Sequence, residues 1–447
     1  MTNSTPTLVV SAALDSTSLF KGSAIGASAT VAGLAALLIA SQALSSLSTD
    51  IKETMTKNIL FSLYNGESYG YIGSSRFVTE LREGRLPVTM QNSSLSFADV
   101  EAVIEVGHLG SRGRDPNAPT PLYVHRDPTP QSEQTTDAMI EALEEKSDDG
   151  REVELATAAH LLPPGSLHSW LRWGDRHLPH VHIADHNSDG FTNDYYGSFL
   201  DDAKNLGVYD LLAMQHLCSA STVLARSLYL IAGGTEHLAT TINADCTALK
   251  GLVTSLTVSM DSEYVRDITN GTECAARGYP GSADNQPLSL YVGVAKQRPQ
   301  CGSVAYVAYL VLMRALTKTA VPSIDDMGNC GTEGYMWLDG ACYHSTQTAM
   351  GRAISPAFLF NTDTGAHEIV NKSFSMWTES EWSPDTPYTM AFVAESPSER
   401  LVAMVTGLAT SFLRENKAYT NLYFFDTVSV SFSAFKGMAF CQPEAEI

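Results

Sequence analysis

The sequence predicts an α/β protein, a mainly parallel mixed sheet flanked by helices with a helical or irregular insertion toward the C-terminus. Three observations lead there. Short apolar runs closed by polar or glycine-rich turns alternate with longer helix-period segments as far as about residue 186, the pattern of βα units rather than of hairpins. Carboxylates stand directly after the apolar runs, where open α/β sheets build their sites. The chain has 447 residues and 44% hydrophobic content, enough for a large core and, on length, for two or three domains.

The elements follow in order. Leu8-Val9-Val10 with Ala12, Ala13 and Leu14 reads as a buried strand ended by Asp15-Ser16. The next apolar stretch, Val31 to Ala40, is shorter than the roughly 20 residues a membrane span needs. It reads as the centre of a core helix, Thr30 to Leu47. Ile59 to Tyr64 is a second strand. Ser74 is expected to cap a helix from Ser75 to Glu83, with Phe77 and Leu81 on one face and Gly84 as the stop. Leu122 to His125 is a short strand. Thr136 to Lys146 is an amphipathic helix with Met139, Ile140 and Leu143 inward. Pro163-Pro164 opens a helix in which Leu167, Trp170 and Leu171 share a face, and Val181 to Ala184 is a strand closed by Asp185. Tyr209 to Ala232 is a long helix stopped by Gly233-Gly234, and Ala244 to Met260 is another. Tyr264 to Pro299, rich in Gly, Pro and Asn, reads as an insertion. Val304 to Lys318 is long enough to favour helix over strand.

Net charge is −21, from 28 basic and 49 acidic residues. A phosphate backbone needs a basic surface, so nucleic acid is excluded as a partner, and so is direct adhesion to an anionic membrane face. Leu401 to Leu413 is moderately apolar but runs into Arg414, Glu415 and Lys417 and does not read as a span. No N-terminal segment has the form of a signal peptide. The seven cysteines are Cys218, Cys246, Cys274, Cys301, Cys330, Cys342 and Cys441; without a CxxC pair they do not suggest a zinc ribbon. Cys330 and Cys342, with three glycines between them, can close as a disulfide worth ~3 kcal/mol or stay as free thiols. Sequons at Asn3, Asn92, Asn270 and Asn371 lean toward a secretory setting.

Three carboxylates stand at strand ends, Asp15, Glu67 and Asp185. Parallel strands put these ends on one edge, so a metal or acid/base site there is one reading. A two-zinc centre also needs histidines and a carboxylate shared by both ions. Ala13 stands where an HxD pair would have its histidine, Gly26-Ala27-Ser28-Ala29 offers no carboxylate, and Gly66 beside Glu67 cannot act as a general base. Six histidines, His160, His168, His177, His180, His182 and His186, are a second candidate for metal, with an exposed edge or loop of solvated rings as the plainer reading. No G-x-S-x-G elbow is present. Trp377 and Trp382, around Glu379 and Glu381, read either as a ligand patch or as a turn pinned on the core, with the core favoured.

Five landmarks then occur in one order: Gly66-Glu67 with Tyr71-Ile72-Gly73-Ser74-Ser75-Arg76 and Gly84-Arg85-Leu86-Pro87-Val88; Ala184-Asp185-His186-Asn187 with Tyr195-Tyr196; Ala225-Arg226-Ser227-Leu228-Tyr229 through Thr235; Ile354-Ser355-Pro356-Ala357-Phe358; and Trp377-Thr378-Glu379-Ser380. With these the chain resembles the nicastrin family, the large glycoprotein subunits of γ-secretase, over about residues 8–395. The resemblance implies a fold like the di-zinc aminopeptidases with the metal site lost, so no catalytic residue, metal or cofactor. It implies a lumenal or extracellular place in a membrane complex of the endoplasmic reticulum, Golgi and plasma membrane. The implied partners are presenilin, the presenilin enhancer and the anterior pharynx-defective subunit. The implied role is assembly, with recognition or steric gating of the N-terminal stubs of type I membrane proteins of the Notch and amyloid-precursor type. Carried over by residue, Glu67 is the pocket carboxylate and Tyr71 its neighbour, with Asp15 and Asp185 as further pocket candidates. Cys330 and Cys342 sit where the family has a disulfide, and Asn92, Asn270 and Asn371 are glycosylation candidates. Gly70 stands where the family motif has an aspartate.

The expected organisation is an aminopeptidase-like lobe over 1–265, incomplete at its start, and an insertion with the disulfide loop over 266–345. A return to the lobe follows over 346–395, then a divergent tail over 396–447 where a transmembrane helix is not recognisable. The competing reading is a zinc-dependent aminopeptidase with unconventional ligands from the His177 to His186 cluster.

Overall fold

The computed structural model describes residues 5–377 apart from 87–88, 91–92, 111–120, 128–135, 138, 144–152, 157–161, 188–192, 282–284, 292–300, 317–329, 331–334, 339 and 345–352. His160, Asn3, Asn92, Glu379, Glu381, Trp382, Cys441 and the stretch Leu401 to Leu413 lie outside the described residues.

Its centre is a six-stranded sheet. The strands are β1 (Thr7–Ala13), β2 (Asn58–Tyr64), β3 (Val100–Val106), β4 (Leu122–His125), β5 (Val153–Leu155) and β6 (His180–Ala184), in the order β2-β1-β3-β6-β4-β5. The pairs β2/β1, β1/β3, β3/β6 and β4/β5 are parallel, and only β6/β4 is antiparallel. The expected mainly parallel mixed sheet is therefore observed.

The sequence of β1 explains its central place. Leu8, Val10 and Ala12 face one layer and Val9 the other, because successive side chains of a strand alternate. Both faces are covered, so the strand reads as a continuous apolar run. On the larger face lies α1 (Ala32–Ser45), packed against α3 (Leu211–Ile231), α4 (Cys246–Thr257) and α5 (Val304–Leu316). Together with a preceding π turn, α1 is apolar over Ala27–Ser45 with a mean hydropathy of 1.7, long enough to cross a membrane by length alone. Here 89% of that window is buried inside the fold, as a core helix is. Each fully buried Leu or Ile contributes roughly 1.5–3 kcal/mol. On the smaller face α2 (Ile72–Arg82) packs with Leu167, Trp170 and Leu178 over Val9 and Val103.

Polar caps fix the helix starts. The side chain of Asp210 accepts from Leu212 N, and that of Asp245 accepts from Thr247 N and Ala248 N. Residues 139–143 are helical, with Met139, Ile140 and Leu143 buried as the pattern requires.

One expectation needs correction. Helix α2 begins at Ile72, three residues before the predicted start, so Ser74 lies inside its first turn and Tyr71 takes the capping position without a side-chain bond. The backbone reaches that start through left-handed conformations at Gly70 and Tyr71, which sequence periodicity does not register. The segment expected as a helical or irregular insertion opens with a helix, Glu263–Thr269, capped by Ser262, and a turn of helix, Glu273–Ala276, capped by Thr272. Its Val265 and Ile268 join the main core.

Six cysteines pair as Cys218–Cys246, Cys274–Cys301 and Cys330–Cys342, with Cα separations of 5.3, 5.8 and 5.7 Å. The first ties α3 to the start of α4. The last closes the hairpin of Tyr335–Leu338 with Ala341–His344, in line with the pairing the family resemblance implied.

Candidate recognition site at the carboxyl edge of the sheet

Because β1, β2, β3 and β6 run parallel, their C-terminal ends share one edge. Asp15 follows β1, Glu67 follows β2, Glu105 and His108 end β3, and Asp185 and His186 follow β6. All six are buried.

Asp15, Glu67 and Glu105, with Asp201 beside them, share one pattern of bonding. Asp15 accepts from Glu67 N (2.8 Å) and Ser68 N (3.0 Å). Glu67 accepts from Ser74 N (2.9 Å) and Ser74 Oγ (2.8 Å), closing the first turn of α2 in place of a cap residue. Glu105 accepts from Ser166 N (2.6 Å) and Leu167 N (2.9 Å). Asp201, which the sequence reading did not single out, accepts from Ser28 N (2.9 Å) and Ala29 N (3.0 Å) where the first core helix begins. Each acid grips amide donors of a loop or helix start and so shapes the edge. Buried hydroxyls join the same framework, Ser74 Oγ to Ser169 Oγ at 2.8 Å and Ser11 Oγ to Ser166 Oγ at 3.0 Å.

Burial raises the carboxyls of Asp15 and Asp201 above the ordinary range, although backbone donors pull the other way. Glu67 is pushed well above it, by burial first and further by the charges of Asp15 and Glu105. Glu105 goes the opposite way. Burial alone would raise it, but the His182 ring and the two backbone donors outweigh burial and hold it low. His182 Nδ1 lies 3.2 Å from Glu105 Oε2.

Three of the histidines do not lie on the exposed edge or loop that was the plainer expectation, whereas His177 is exposed in a turn and His168 is half-buried. His180, His182 and His186 are buried, because β6 lies inside the sheet with β3 and β4 on either side. His180 sits with Nδ1 2.7 Å from Leu178 O and Nε2 3.2 Å from Asp127 N, so it donates from Nδ1 and accepts at Nε2. Burial lowers its pKa. The rings of His108, His125, His182 and His186 form a chain with centroids 5.3–6.1 Å apart. Burial takes His108 down to about 3 against the pull of Asp185, keeping it neutral. Gly107 makes room for this chain, since a Cβ there would stand 2.2 Å from His182 Nε2. Among the described residues, no three His, Cys, Asp or Glu side chains are arranged to hold a metal ion.

Of the sequence-derived candidates, Asp15 and Glu67 come together across the β1/β2 edge, while Asp185 belongs with His108 and His186. Tyr71 is half-buried at φ 59°, its ring stacked on His168 at 5.4 Å. Tyr196 covers His108 at 4.7 Å. Trp377 is neither a core residue nor a free ligand patch. It is half-buried and stacks on Tyr69 at 4.4 Å. Asn270 and Asn371 are exposed. Glu105, His108 and Asp201 escaped the sequence reading because their partners lie 61 to 173 residues away. The short run after Val100–Val106 offered the one available signal, an acid and a histidine at the end of an apolar stretch.

The family model of the nicastrin large lobe matches residues 6–229, half of the chain. Nicastrin of Mus musculus is 29% identical over 438 residues, covering 90% of this chain and 57% of that protein. Nicastrin of Homo sapiens is 29% identical over 84% of this chain and 53% of its own length, and that of Arabidopsis thaliana 26% identical over 92% and 61%. The chain thus spans a little over half the length of these relatives. A crystal structure of the gamma-secretase component nicastrin superposes with a TM-score of 0.67 at 21% identity, over 85% of this chain and 64% of that one. At that identity it bears on the fold, which is the aminopeptidase-like arrangement expected.

Proposed function

The chain belongs to the nicastrin family, and on that premise we propose that it is a non-catalytic subunit of a γ-secretase-type intramembrane aspartyl protease complex. In this reading it works beside presenilin, the presenilin enhancer and the anterior pharynx-defective subunit. It contributes to assembly and to recognition or steric gating of the N-terminal stubs of type I membrane proteins, and the carboxyl edge of the sheet is its recognition surface. Glu67, Tyr71, Asp15 and Asp185 are the proposed pocket residues.

One observation carries the non-catalytic part. Four acids at the edge, Asp15, Glu67, Glu105 and Asp201, are engaged by backbone amides. Asp15 and Glu67 hold the turn and helix after β2, Glu105 holds residues 166–167, and Asp201 holds residues 28–29. Each of these carboxylates accepts two hydrogen bonds from the chain's own donors, one on each oxygen, which directs it at the turn or helix start it holds and supports a structural role. Three disulfides and exposed sequons at Asn270 and Asn371 suit an oxidising, lumenal or extracellular setting.

The test is affinity purification of the full chain from detergent-solubilised membranes. Co-purification with presenilin, lost on disrupting the edge by Asp201→Ala, is expected. Stoichiometric zinc with cleavage of aminoacyl reporters, abolished by His180→Ala and His182→Ala, would establish the aminopeptidase alternative instead.

A further inference from the structure

The site turn carries a contact that its own chemistry does not require. Residues 374–377 lie far along the chain, yet they bridge two walls of the carboxyl edge. Ser375 Oγ donates to Tyr69 O at 2.6 Å. Trp377 stacks on Tyr69 at 4.4 Å, and Tyr69 in turn meets Tyr291 edge-on at 5.8 Å. On the other side Phe374 stacks on Trp173 at 3.9 Å, in the helical segment that also supplies His168 beneath Tyr71. Ser355 Oγ donates to Ser375 O, tethering the segment from behind.

Gly70 fits this contact in two ways. Its φ of +90° is a conformation that side chains resist. A Cβ there would also stand 3.0 Å from Ser375 Cβ and 3.1 Å from its Oγ. A larger residue at position 70 would therefore push Ser375 away from the turn.

We propose that Phe374–Trp377 is an intramolecular strap that latches the turn Gly66–Tyr71 to the segment Leu167–Gly174, and that its release frees the rim of the recognition surface. Three features fit a latch rather than a core element. Phe374, Ser375 and Trp377 are each only half-buried, Met376 between them is 51% exposed, and the segment has no ladder of its own to either wall. Among the described residues its hold on the two walls rests on the Ser375–Tyr69 hydrogen bond and two aromatic stacks, with the Ser355 bond behind it, the class of interaction that opens locally well before the fold does. The turn it touches at Tyr69 is the one whose Glu67 and Ser68 amides donate to Asp15. Opening the strap loosens the rim while leaving the carboxylate framework in place.

The functional consequence rests on reading this edge as the recognition surface; the strap itself does not. Hydrogen exchange of the full chain, read by mass spectrometry, tests it directly in Trp377→Ala, Ser375→Ala and the stacking-competent Trp377→Phe. Exchange across residues 66–71 is expected to rise about tenfold in the first two and to stay near wild type in the third, with β1 and α1 unchanged. Unaltered exchange at 66–71 would overturn the proposal. So would an equal rise in β1 and α1, which would make the segment part of the global fold. Loss of presenilin co-purification with the strap intact would instead strike only the functional reading.

Discussion

Glu67 is the sharpest point of test, because its two oxygens do the work of a helix cap from within a turn. Truncation by Glu67→Ala removes the acceptor for Ser74 N, a buried amide in the first turn of α2. An orphaned buried amide costs about 1–3 kcal/mol. Ser74 Oγ loses less, since it keeps Ser169 Oγ within 2.8 Å. The expected loss is about 2–3 kcal/mol once the packing of the deleted methylenes is included. Glu67→Gln should behave differently. Ser74 Oγ has one hydrogen but lies 2.8 Å from both Glu67 Oε2 and Ser169 Oγ, so a group that donates to it satisfies all three. A protonated Glu67 does this, and so does the amide nitrogen of glutamine.

The sign of the pH effect follows. The folded-state pKa of Glu67 is raised, so the native state holds the proton more tightly than the unfolded chain. Its stabilising contribution is complete below the ordinary glutamate pKa and is lost as pH rises from there through the folded value. Glu67→Gln removes that loss. Its stability relative to wild type should climb from pH 5 to pH 8, with up to about 1.4 kcal/mol per pH unit within the window. Urea unfolding followed by near-ultraviolet circular dichroism at both pH values measures this. A Glu67→Gln variant as unstable as Glu67→Ala at pH 8 would refute the argument, because it would mean the turn needs a carboxylate charge.

Other outcomes follow from neighbouring contacts. Gly107→Ala, which drives a Cβ into His182, should destabilise by about 1–3 kcal/mol in thermal melts, and pairing it with His182→Ala should recover part of the loss. His108 has its pKa depressed to about 3, so stability tied to it is present above the ordinary histidine value and falls as pH drops from about 6.5 toward that value; His108→Asn should flatten this acid slope in a pH series of melts. Replacing both Cys218 and Cys246 by serine opens a link of sequence separation 28 and should lower the unfolding free energy by about 3–4 kcal/mol, read as a shifted urea midpoint. Asp201→Ala should cost more than Asp201→Asn, since asparagine keeps one acceptor for Ser28 N or Ala29 N; equal losses would show that the carboxylate does not cap the helix.

Much of the fold was open to reading because its signals are local. β1, β2 and β6 announce themselves as apolar runs ended by acids, and Ala32–Ser45, Leu211–Ile231 and Val304–Leu316 by length and period. The turn after β2 was also visible, with Glu67 at its head. The start of α2 was not, because a left-handed Tyr71 and a carboxylate cap from inside the turn replace the usual serine. The histidines of β6 were misjudged in environment for a related reason. A strand's exposure depends on whether neighbours lie on both sides, and β4 reaches β6 only by an antiparallel pairing that no local pattern encodes.

The sequence by itself therefore determined the layers of this protein and the sheet edge along which its candidate site lies, since hydrophobic periodicity and strand direction are properties of short windows. Tertiary structure alone decided what the acids on that line do. Asp201 meets Ser28 across 173 residues and Glu105 meets Ser166 across 61. A carboxylate read in isolation looks equally ready for a metal, a proton or a substrate. Burial then demands that its polar atoms find partners, and the fold supplies backbone amides from other turns, making Asp15, Glu67, Glu105 and Asp201 the fastenings of the sheet's carboxyl edge.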